Sequence, residues 1–99
     1  MDWIIRNGFV IDGTGMPRHK ADVGITAGKI TAIGDLSATT STQEIDASDK
    51  IVCPGFIDVH NHSDGWLLRD GHQTYKTQQG FTTEIIMSDG ISYAPVSSE

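Results

Sequence analysis

The sequence predicts a mixed α/β fold: a small antiparallel β layer over residues 1–50, then the first strand–helix–strand of a parallel α/β barrel over residues 51–99. Three observations carry that reading. The first half is cut into short β-rich runs by glycine-containing turns, and eleven glycines are present in 99 residues. At Ile51 the alternation gives way to a nearly unbroken apolar run, "IVCPGFIDVH", of the kind found in strands covered on both faces. A polar stretch of helical length and a second β-branched run, "FTTEIIMSDG", follow, and strand, helix, strand in that order is the repeating piece of such a barrel.

Taken in order, "WIIRNGFVID" holds two β-rich runs around Asn7-Gly8, a pair that favours a type I′ hairpin turn. "DGTGMP" breaks regular structure. "ADVGIT" alternates, with Val23 and Ile25 on one face, and "AGKITAIGDL" adds a strand after a turn at Ala27-Gly28. "SATTSTQ" reads as a polar loop and "EIDASDK" as a short edge strand with a turn. Past Ile51, Pro54 and Gly55 impose a bend, so the regular strand is expected over residues 56–60. The helix is expected over residues 73–79, ended by Gly80 in a left-handed conformation. One helix and two parallel strands leave edges unpaired, and the chain runs out in "YAPVSSE", so these residues are expected to open a longer protein and to pack against the remainder of its own barrel.

The net charge is −6, with seven scattered Lys and Arg residues, which argues against a nucleic-acid surface. No apolar stretch approaches the roughly 20 residues that span a bilayer, and "MDWIIRNG" lacks the features of a signal peptide. A lone cysteine, Cys53, fits a reducing cytoplasm and is expected to be a buried, inert thiol. Trp3 and Trp66 are expected to serve packing, and His19 and His72 to face solvent.

The chemistry gathers where the apolar run ends, in "DVHNHSD". Residues i and i+2 of a strand point to one face, so His60 and His62 project together if the strand continues through Asn61. At the C-terminal end of a barrel strand they would line the mouth, and imidazoles so placed suit Zn²⁺ or another divalent metal. Asp58, one step deeper on that face, either orients an imidazole or forms a buried ion pair with a partner outside this chain. Asp64 either reaches the mouth, behind the ligands or against substrate, or caps the next segment. Asp89, after the second strand, returns to the same mouth as a metal ligand, or is a turn residue before Gly90.

"VIDGTGMPRHKADVGITAGKITAIGDL" followed by "PGFIDVHNHSD" resembles the opening of the amidohydrolase superfamily. Together "DGTG", "HSD", "QGFTTEI" and "DGISYAP" favour its D-aminoacylase (N-acyl-D-amino-acid deacylase) branch. The resemblance implies a (β/α)₈ TIM barrel beside a small β-sandwich, with residues 1–50 forming the N-terminal part of the sandwich. It implies that His60 and His62 are the H-x-H metal ligands. It also implies that Asp89 stands where D-aminoacylases carry a metal-binding cysteine, in a G-N-C-G segment that here reads "MSDG". The implied reaction is hydrolysis of the amide bond of a small-molecule N-acyl-D-amino acid by metal-activated hydroxide. The general acid/base and the remaining ligands lie on later strands, so no catalytic residue is expected within this chain and the 99 residues alone are expected to be inactive. The alternatives are another cyclic-amide hydrolase of the superfamily, dihydroorotase- or hydantoinase-like, and a non-catalytic truncated product.

Overall fold

A computed structural model describes residues 1–90; residues 91–99, with most of "DGISYAP", lie outside the described residues. Among the described residues the chain is mostly β-strand with few, short helices, and none of its helices is long and apolar enough to cross a membrane. It divides into two compact units, Met1–Pro54 and a second from Gly55 on.

The first unit is one sheet built from β1 (Trp3–Val10), β2 (His19–Thr26), β3 (Lys29–Gly34), β4 (Gln43–Asp46) and β5 (Ile51–Val52). Its order is β3-β2-β1-β4, and β5 also pairs with β1. β1, β2 and β3 run antiparallel, and the Ala27-Gly28 turn between β2 and β3 has both residues at positive φ, as a type I′ turn requires. The expected purely antiparallel layer is corrected, because β4 and β5 lie parallel to β1 end to end along one side of it. Ile51 and Val52, expected to open the second part, therefore belong to this sheet. The core is small: Ile4, Val10, Val23 and Ala47 are buried.

The expected hairpin at Asn7-Gly8 is also corrected. β1 passes straight through, and Asn7, at φ 64°, is the extra residue of a β-bulge between Ile5 and Gly8. Tertiary partners decide this: the Asn7 N–H donates to Asp22 Oδ1 (2.8 Å) and its side-chain amide to Asp46 Oδ1 (3.0 Å), so the left-handed residue is held within the sheet. Gly8 is required for a different reason, since a Cβ there would collide with Val52 Cγ2. Arg6 ties down the polar loop before β4: its guanidinium donates to Leu36 O (3.1 Å) and Thr39 O (2.9 Å) and pairs with Glu44 and with Asp22 (3.5 Å).

The second unit holds β6 (Phe56–Asp58), α1 (Asp64–Leu67), α2 (Thr74–Thr77) and β7 (Phe81–Glu84). β6 and β7 pair in parallel, with Asp58 opposite Glu84. The helix expected over 73–79 is the shorter α2, with Gly80 at φ 90° ending that segment. Residues expected to be loop supply the extra turn α1. Cys53 is exposed rather than buried, because it follows the last ladder residue of β5 and enters the bend at Pro54.

Candidate metal centre

β6 ends at Asp58, so strand alternation does not extend to the histidines. What brings them together is a pair of Asx turns. Asp58 Oδ1 accepts the His60 N–H (3.2 Å), and Asn61 Oδ1 accepts both the Ser63 N–H (3.1 Å) and its hydroxyl (2.6 Å). The Asn61 amide also donates to Ile85 O (3.3 Å), tying this loop to the one after β7. Asn61 and Ser63 are buried, which leaves the two imidazoles on the outer side of a fixed backbone. Their ring centroids lie 5.7 Å apart at an interplanar angle of 77°.

Asp89 arrives from the other strand. After β7 the chain takes a turn at Ser88–Gly90, and Met87 (φ 74°), just before it, and Asp89 (φ 54°), within it, are both left-handed. Aspartate tolerates that region; methionine does so at a cost of about 1–3 kcal/mol unless its surroundings hold it. Asp64 does so here, accepting the Met87 N–H on Oδ1 (3.1 Å). Its Oδ2 is buried with no hydrogen-bond partner among the described residues. Asp64 thus acts on the loop that carries Asp89.

The result is convergence. Asp89 Oδ2 lies 2.8 Å from His60 Nε2 and 3.8 Å from His62 Nε2, and one donor atom from each residue falls within 4.8 Å of the others. Ligand atoms around a tetrahedral Zn²⁺, each about 2.0–2.2 Å from the ion, stand roughly 3.3 Å apart, so two imidazoles and a carboxylate in this array fit such a cation. All three side chains are half to two-thirds exposed, open on one side to ligands from elsewhere.

Asp58 ends β6, two residues before His60. Its Oδ2 accepts from the Lys76 ammonium (2.9 Å), so its ionic partner belongs to this chain, and it touches the backbone of His60 rather than an imidazole N–H. Lys76 holds the Asp58 carboxyl below its ordinary pKa. Glu84, Ser63 and Gln73 join the same network, and none of them stands out in the sequence read alone. Lys76 sits in a helix among polar residues, where a basic side chain ordinarily faces solvent. His19 and His72 are exposed and take no part.

Residues 1–56 match the family model of the urease alpha-subunit N-terminal domain. N-acyl-D-glutamate deacylase of Alcaligenes xylosoxydans xylosoxydans is 47% identical over 95 residues, 96% of this chain and 20% of the relative. The crystal structure of N-acyl-D-glutamate deacylase from Bordetella bronchiseptica, complexed with zinc and a phosphonate mimic of the tetrahedral intermediate, superposes with a TM-score of 0.89 at 48% identity, over 95% of this chain and 20% of that one. A D-aminoacylase with a binuclear metal centre gives a TM-score of 0.91 at 47% identity, over 96% and 20%. The chain spans about one fifth of the length of the relatives it matches, and its mostly β first part corresponds to their N-terminal β-sandwich. With more than half of its residues under that family model, the chain belongs to the urease alpha-subunit N-terminal domain family, and along nearly all of its length it is similar to the opening fifth of D-aminoacylases and N-acyl-D-glutamate deacylases.

Proposed function

We propose that this chain supplies one side of the metal centre of a hydrolase that cleaves the amide bond of N-acyl-D-amino acids. In this reading β6, the two short helices and β7 are the first strand–helix–strand of a (β/α)₈ barrel, and the first unit is the N-terminal part of a β-sandwich. His60 and His62 hold a divalent cation, zinc being the ion bound in one relative, and Asp89 contributes a carboxylate where the resemblance implies a cysteine. A cation held by His60, His62 and Asp89 would supply Lewis acidity, lowering the pKa of bound water to about 7 and polarising the scissile carbonyl. The chain's own residues orient it: Asp58 and Asn61 fix the backbone of the two histidines, and Asp64 fixes the loop of Asp89. The general acid/base and further ligands are expected from the rest of the barrel. An unpaired Cys53 supports a cytoplasmic setting, and a net charge of −6 supports a small-molecule rather than a nucleic-acid partner.

One observation carries this reading: the donor atoms of His60, His62 and Asp89, from two different loops, lie within 4.8 Å of one another. The test is the metal content of the intact protein and of His60→Asn/His62→Asn, with hydrolysis of N-acetyl-D-glutamate followed alongside. Stoichiometric zinc in the parent and its loss, with activity, from the double variant is the expected result; full metal retention by the double variant overturns it.

A further inference from the structure

We propose that Lys76 is a positioning residue of this metal centre, fixing from α2 the backbone on both sides of the His60–His62 pair and the root of the loop that carries Asp89. The inference rests on the reading of those three residues as metal ligands and adds to it the device that holds them.

The geometry is specific. An ammonium has three N–H donors, and Lys76 has three acceptors: Asp58 Oδ2 at 2.9 Å, Ser63 Oγ at 2.7 Å, and the Glu84 carboxylate. Asp58 and Ser63 bracket the histidines in sequence, two residues before His60 and one after His62. Asp58 passes the constraint on through its other oxygen to the His60 N–H (3.2 Å), and Ser63 passes it on through its hydroxyl to Asn61 (2.6 Å), the residue between the histidines. Glu84 closes β7, where the loop to Asp89 begins, and sits directly opposite Asp58 in the ladder. Three anchor points on the two loops that deliver donor atoms are therefore rooted on one nitrogen.

Stability alone does not account for the arrangement. Lys76, Asp58 and Glu84 are 16%, 21% and 13% exposed at their side chains, and the desolvation of such charges offsets much of their mutual attraction. What a charged hub provides and an apolar side chain does not is direction. Burial pulls the Lys76 ammonium down, but hydrogen bonds and charge from Glu84 and Asp58 outweigh it and leave the pKa raised, so the hub stays charged at neutral pH. The competing explanation is that Lys76 merely neutralises two facing carboxylates.

The experiment separates these accounts in the intact protein. Zinc affinity is measured by chelator competition, the ligand field by the visible spectrum of the Co²⁺-loaded form, and folding by the Tm of the metal-free form. The variants are Lys76→Met, Lys76→Arg and Lys76→Met/Glu84→Gln, the last removing the carboxylate repulsion along with the ammonium. Positioning predicts that the double variant melts near the parent, binds zinc about 10- to 100-fold more weakly and shows an altered Co²⁺ spectrum, with Lys76→Arg in between. Parent-like affinity and spectrum in the folded double variant would reduce Lys76 to charge balance and overturn the proposal. If His60→Asn/His62→Asn retains its zinc, the metal-ligand reading fails instead, whatever the Lys76 variants do.

Discussion

Asp89 departs from the cysteine that the resemblance implies, and its surroundings suit an aspartate. At φ 54° it occupies a region that Asp enters more readily than most residues. An oxygen ligand is harder than a thiolate, so Asp89→Cys is expected to raise affinity for zinc relative to manganese, a ratio readable by competition titration. Two core positions are constrained by space alone. Ile4 is fully buried, and Ile4→Ala is expected to cost about 2–5 kcal/mol in chemical denaturation. Gly8→Ala places a methyl group against Val52 Cγ2 and is expected to cost roughly 1–3 kcal/mol, since a β-branched neighbour in a ladder has little room to give.

At the scale of elements, the recurring device is an Asx turn in which an Asp or Asn accepts the N–H of a Ser, Thr or His two residues on. Asp12, Asp35, Asp46, Asp58, Asn61 and Asp70 all do so. The pattern is visible in the sequence, and it marks where strands stop; applied to "DVHNHS" it locates the end of β6 two residues before the first histidine. Such turns also give the sheet an acid limit. Asp12, Asp35, Glu44 and Asp46 have lowered pKa values, caused first by Thr14, Ser37, Arg6 and Asn7 respectively. A carboxylate depressed in the folded state contributes stability above its unfolded pKa and loses it as pH falls through the folded one. The Tm is therefore expected to hold near neutrality and fall below about pH 4, with Glu44→Gln flattening that fall. Arg6→Met is expected to release residues 36–44, seen as faster amide exchange there.

At the scale of the molecule, the two units differ in what sustains them. β1 is paired along its length on both sides and contributes Ile4 and Val10 to a real if small core. The second unit has strands of three and four residues, and Ile57, Val59 and Ile85 are more than half exposed. Two-stranded sheets of that size are marginal in water. Hydrogen exchange on the 99-residue chain is expected to show β1 and β2 protected while β6 and β7 exchange orders of magnitude faster; equal protection would show that the second unit needs nothing further to pack against.

Local chemistry alone made the β-rich first half, the Ala27-Gly28 turn, the parallel pairing of the two later strands and the choice of His60, His62 and Asp89 as candidate ligands legible, because alternation, turn residues and ligand types are short-range properties of the chain. Tertiary structure alone decided whether Asn7 turned or bulged, since Asp22 and Asp46 hold it from two other strands. It placed β4 and β5 parallel to β1, a matter of which edge was open. It also tied the Asx turns that bring the two imidazoles together to a distant segment: Lys76, from a helix, donates to Asp58 and Ser63 on either side of them, and no spacing within "HNH" encodes that.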